Sequence, residues 1–193
     1  MEVDFQTAEI HFVRLQEFSR RRPGDVAIEI ARRAGLPLWL AGPIEPQYLE
    51  FFDSEVLPHV DGARVVFFDA LDQKQLMGLY RQAAAVIMPL RWDEPFGLVA
   101  VEAMACGTPV VGTNRGALPE IIETGVTGFV FEGIDEAVAA LANIGEIDRA
   151  VVRKSAETRF SRRIMASRYE EVYRAVLGAR NQALDFEVKK ADR

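Results

Sequence analysis

Glu94 and Glu102 stand with seven residues between them in the stretch EPFGLVAVE, the first ahead of an apolar helical run and the second two turns inside it. Both carboxylates can therefore face one pocket. The same stretch puts the backbone N–H groups of Phe96, Gly97 and Leu98 at a helix start, where unpaired amides and the positive end of the helix dipole suit a phosphate. Gly97 lets a ligand approach the backbone closely. Carboxylates only accept hydrogen bonds, so beside a phosphate site they are poor phosphate ligands and good partners for sugar hydroxyls. A sugar attached to a diphosphate answers both demands. The plainer alternative makes Glu94 a first-turn helix charge and Glu102 a solvated helix-face residue. Against it, Glu102 is embedded in an otherwise apolar helix, and a half-buried glutamate demands a partner. The ligand-binding reading is preferred.

These residues need elements to hold them. Ile10 to Arg14 reads as a strand, Asp25 to Ala34 as a helix closed by Gly35, and Leu36 to Ala41 as a second strand. Pro46 to Val56 reads as helical, Arg64 to Phe68 as a buried strand, Asp72 to Ala83 as a helix and Ala85 to Pro89 as another strand. Leu98 to Ala105 is a short helix ended by Gly107, after which Val110 to Gly112 continues the sheet. Apolar strands alternating with amphipathic helices define an α/β chain with a Rossmann-like parallel sheet and helices on both faces. Such sheets bind ligands beyond the carboxyl ends of their strands, which singles out the loop Arg91 to Gly97. From about Asp135 the chain is mostly helical. Residues 9–180 form one domain, 1–8 are a tail or linker remnant without assigned role, and 181–193 are a polar tail able to fray.

Composition narrows the partners. A chain of 193 residues with 49% apolar content suits one domain with a developed core, and a net charge of −6 argues against nucleic acid or an anionic membrane. The chain opens with no signal-peptide pattern and contains no apolar run long enough for a transmembrane segment. Its single Cys106 can form no internal disulfide, so a cytoplasmic location is expected, with peripheral membrane association left open. No Cys/His cluster has metal-ligand spacing, no D-x-D pattern occurs, and His11 and His59 lie far apart, so no metal is expected. Cys106 reads as core, and His59 as a surface-loop residue. Trp92 either lines a sugar pocket or covers a helix edge, the second being favoured. The run Arg20 to Arg22 is a solvated charge cluster or, given its place after a strand, a phosphate-binding loop.

The stretch DEPFGLVAVEAMACGTPVVGTNRGALPEIIETGVTGFV, residues 93–130, resembles the carboxyl-domain signature of retaining glycosyltransferases of family 4, also called glycosyl transferases group 1, which have the GT-B fold. The similarity continues through DVAIEIARRAGLPLWLAG upstream and RFSRRIMASRYEEVY downstream, covering most of residues 9–177. It implies one half of a GT-B fold that binds a nucleoside diphosphate sugar, such as a UDP-, GDP- or ADP-sugar, without metal or further cofactor. By resemblance, Glu94 is the candidate catalytic residue and binds donor-sugar hydroxyls. Phe96, Gly97 and Leu98 present amides to sugar and phosphate, and Glu102 holds the ribose. Arg14 matches the family's first diphosphate-binding cation. Arg21 falls at the position of its second, a lysine, with Arg20 and Arg22 as neighbouring alternatives.

The resemblance also implies a separate amino-terminal acceptor domain, so this chain alone is expected to be incomplete and inactive. Its exposed interdomain face is a possible homodimer surface. Val13 and Asp69 stand where similar proteins have glycine, and they either narrow the nucleotide slot or are absorbed by loop drift. The alternative function is a stand-alone nucleotide-sugar-binding or regulatory module without turnover. A sugar-nucleotide epimerase fits the fold but not the EPFG-to-TGF signature.

Overall fold

The computed structural model describes residues 11–14 and 23–191, with side chains described for residues 24–178. Six parallel strands form one sheet: β1 (His11–Arg14), β2 (Leu38–Ala41), β3 (Val65–Phe68), β4 (Ala85–Met88), β5 (Val110–Thr113) and β6 (Gly128–Phe131). Their order across the sheet is β3-β2-β1-β4-β5-β6. Strand β2 reads LWLA and β4 reads AVIM, apolar at every position and buried throughout, as a sheet covered on both faces requires. Leu38, Leu40, Ile87, Val110 and Val111 are fully buried and form the centre of the core.

Helix α1 (Pro23–Ala34) contacts α6 (Ile134–Ala142), and the Arg33 guanidinium reaches Asp135 at 3.0 Å. Helix α3 (Gln73–Gln82) contacts α4 (Leu98–Ala105), which also meets the short α5 (Leu118–Ile121). Asp72 starts α3 with a reciprocal cap: its carboxylate accepts from the Gln75 N–H while the Gln75 side chain accepts from the Asp72 N–H. At the other end of α3, half-buried Arg149, on α7 (Arg149–Phe160), donates to Ala83 O at 2.6 Å, Arg81 O at 2.9 Å and Thr108 Oγ1 at 2.8 Å. These bonds satisfy carbonyls that the last helical turn leaves without partners.

Several expected elements differ. Strand β3 is half-buried rather than buried because it is an edge strand with β2 as its neighbour. The expected helix from Pro46 to Val56 is broken into a 3₁₀ turn Pro46–Tyr48, α2 (Leu49–Phe51), a π turn Phe52–Val56 and a 3₁₀ turn Leu57–His59. Pro58 cannot donate a helical hydrogen bond, which tightens the last turn. Phe52 and Val56 are buried, and the Phe52 ring meets Phe67 with centroids 4.8 Å apart. Strand β2 begins at Leu38 rather than Leu36, since Pro37 has no N–H for the ladder.

The chain divides into two compact units, the first ending at Ser155 and the second beginning at Ala156. The second consists of the end of α7 and the 30-residue α8 (Arg162–Ala191), so much of the expected tail is helical. Helix α8 exposes Met165, Tyr169, Val172, Tyr173, Val176 and Leu177.

Candidate functional site

The strand order reverses between β1 and β4, and this is where an open parallel sheet leaves a crevice at its carboxyl edge. Arg14 is the last residue of β1, aligned with Ala41 at the end of β2. The loop after β4 therefore leaves the sheet beside the Arg14 backbone, since β1 and β4 are paired neighbours. The Arg14 side chain, together with Arg20, Arg21 and Arg22, lies outside the described residues.

The β4 loop is pinned from several sides. Thr113 Oγ1 on β5 donates to Leu90 O at 3.1 Å, and Arg91 faces Asp25 of α1 across 3.7 Å. Half-buried Glu94 is held at three atoms. Its Oε1 accepts from the Gly97 N–H at 3.1 Å, its Oε2 from the Trp92 indole N–H at 3.1 Å, and its backbone carbonyl from the Ala117 N–H at 2.8 Å. Gly116 makes the last contact possible. It has φ 54°, and a Cβ there would lie 2.4 Å from both the N and the O of Glu94.

Gly97 starts α4 in the left-handed region, with φ 77°. It is buried, and a Cβ would stand 2.9 Å from Ile121 Cδ1. This turn separates the α4 start from the preceding chain, and among the described residues the Phe96 and Leu98 amides have no acceptor. Both side chains are exposed, at 47% and 54%. Two free amides, a helix N-terminus and an apolar rim can receive a ligand that carries an anion next to a less polar body.

Glu102 is half-buried on α4, and the hydroxyl of fully buried Tyr80 donates to its Oε2 at 3.4 Å. Glu94, Phe96, Gly97 and Leu98 thus gather in one turn, while Glu102 is met by α3. Sequence reasoning missed four contributors: Tyr80, Gly116, Ala117 and the hydrogen bond of Trp92. The NRG turn in TNRGALPE was a readable signal for Gly116. The others depend on contacts between distant segments.

Two expected side-chain environments change. Cys106 is half-buried rather than core, its Sγ 3.5 Å from Met77 Sδ, and burial pushes the thiol above its ordinary pKa. That disfavours the nucleophilic thiolate. Trp92 is half-buried and engaged by its N–H, a role beyond covering a helix edge. Asp69 follows edge strand β3 and accepts from the Ala70 N–H at 2.7 Å. Val13 lies within β1, aligned with Leu40. His59 is exposed beside a groove of about 270 Å³ that includes Leu36 and Val65, at the amino-terminal ends of β2 and β3. Among the described residues, no group of three or more His, Cys, Asp or Glu could hold a metal, and no helix is long and apolar enough to cross a membrane.

Residues 25–157 match the sequence profile of the glycosyl transferases group 1 family. A D-inositol 3-phosphate glycosyltransferase of Mycolicibacterium smegmatis is 47% identical over 72 residues, 37% of this chain and 16% of that one. A crystal structure of a glycosyltransferase involved in avilamycin A biosynthesis superposes with a TM-score of 0.69 and 30% identity, over 88% of this chain and 52% of the other. Sucrose-phosphate synthase from Thermosynechococcus elongatus gives a TM-score of 0.71 and 28% identity, over 90% of this chain and 47% of the other. The chain spans half or less of the length of the curated relatives it matches, 49% and 37% in two further cases. A profile match over most of the chain, carried on the parallel α/β architecture these structures share, means that the chain belongs to the glycosyl transferases group 1 family and has the Rossmann-like fold of one half of a GT-B architecture.

Proposed function

We propose that this chain is the donor-binding half of a retaining glycosyltransferase of family 4, which holds a nucleoside diphosphate sugar for transfer to an acceptor bound by a separate amino-terminal domain. The observation that carries the reading is the meeting of the Glu94 loop, the α4 N-terminus and the end of β1 at the sheet's switch point. The diphosphate lies against the Phe96 and Leu98 amides, with Arg14 and Arg21 supplying positive charge. The carboxylate of Glu94 accepts from hydroxyls of the donor sugar, and that of Glu102 from the ribose.

During transfer the bond between the anomeric carbon and the diphosphate oxygen breaks while an acceptor hydroxyl oxygen bonds to that carbon and its proton passes to the departing diphosphate, on which negative charge grows as the bond breaks. Fixed amides and guanidinium groups aimed at that charge stabilise it. The UDP, GDP or ADP donor and retention of configuration follow from the family resemblance, and the cytoplasmic location from the single Cys106, which can form no internal disulfide. Calorimetric titration with UDP-glucose, GDP-mannose and ADP-glucose tests the reading. Binding of at least one is expected, and binding of none would overturn it.

A further inference from the structure

We infer that Trp92 is a positioning residue for Glu94, and through it a determinant of how the donor's sugar ring is recognised. This rests on the donor-site reading of the same loop. A glutamate in a loop has several rotatable bonds, and a single hydrogen bond leaves its carboxylate free to turn about the bonded oxygen. Here each oxygen has its own donor at 3.1 Å, the Gly97 amide on Oε1 and the Trp92 indole on Oε2. Two donors on two oxygens set the plane of the group.

The type of donor matters as well. Indole N–H is neutral and only donates, so it holds the acceptor form of Glu94 in place without cancelling its charge. Each carboxylate oxygen keeps a further lone pair, and the plane set by Trp92 aims that pair of acceptors in a fixed direction. A fixed, acceptor-only pair suits neighbouring hydroxyls on a sugar ring and does nothing for a diphosphate. Trp92 therefore acts on the sugar part of the ligand alone.

Trp92→Phe keeps most of the ring and removes the N–H. Calorimetry compares a sugar nucleotide with its own nucleoside diphosphate, using whichever of the pairs UDP-glucose and UDP, GDP-mannose and GDP, or ADP-glucose and ADP binds the parent chain. The expected result is about tenfold weaker binding of the sugar nucleotide, with the diphosphate changed by less than about twofold. In a Glu94→Gln background the Trp92→Phe change should add little, since the two act as one unit. A second measurement needs no variant. Of the two tryptophans Trp39 is buried at 2% exposure, so a change in emission that the sugar nucleotide causes and the diphosphate does not reports on Trp92. Equal loss for both ligands would reduce Trp92 to packing and overturn the inference, as would no loss for either. If the parent chain binds no sugar nucleotide, the donor-site reading itself fails.

Discussion

Gly116 has no Cβ, and the Glu94 backbone occupies the space one would fill. Gly116→Ala must push the β4 loop away, because the added carbon would sit 2.4 Å from two backbone atoms, and it also forces alanine to φ 54°. A cost of at least about 1 to 2 kcal/mol is expected. The sign of the prediction lies in the comparison: calorimetry should show donor binding lost more completely than a thermal melt shows stability lost. Normal affinity in a folded variant would contradict the clamp. Glu102→Ala should weaken donor binding by roughly 1.5 to 3 kcal/mol, the range for hydrogen bonds to charged groups. No change in calorimetry would remove the ribose assignment. At this scale the sequence showed which residues have suitable chemistry, since Glu94, Gly97 and Glu102 stand out by type and spacing. It did not show that the Trp92 indole points at Glu94, because either of its sequence readings satisfied local preference equally well.

The elements have their own dependencies. Arg149→Met would leave two carbonyls at the end of α3 and the Thr108 hydroxyl without their guanidinium donor, for a loss of about 1 to 3 kcal/mol. Chemical denaturation should show it as a lower midpoint. On α1, Glu29 accepts from Arg32 and Arg33, and these side-chain hydrogen bonds draw its pKa from 4.5 down to about 2. A depressed carboxylate stabilises the fold above the ordinary carboxylate range, and that contribution fades as pH falls toward 2. The pair is solvent-facing, so the effect is small and salt-sensitive. The difference in melting temperature between the parent and Glu29→Gln should therefore shrink on acidification and in high salt; a difference that grew on acidification would reverse the sign. Helices α3 and α4 were legible to within about a residue because capping, periodicity and stop signals are local. The 46–59 passage was not, since its turns answer to Phe67 across the fold.

At the scale of the molecule, the proposed donor-binding role makes transfer depend on a second, acceptor-binding domain. Mixing this chain with a candidate amino-terminal domain and a donor that it binds should produce sugar transfer that neither part gives alone, measured as product by chromatography. Absence of transfer in every such mixture, with donor binding intact, would favour a binding module without turnover. If the proposed role holds, closure of the two domains over the donor would exclude water and complete the site, which is the physical reason to expect cooperation.

The sequence by itself determined the α/β class, the helix that begins after EPFG and the acid-and-amide chemistry of that loop. Each is written in short windows, in the period of apolar residues, the placement of glycine and the charge of neighbours. Only the tertiary structure decided that β1 lies beside β4, that β3 is an edge, and that Trp92, Gly97 and Ala117 converge on one glutamate. Those outcomes depend on which apolar faces find each other over long stretches of chain. No local preference encodes that choice, because burial is a property of the assembled sheet rather than of any strand in it.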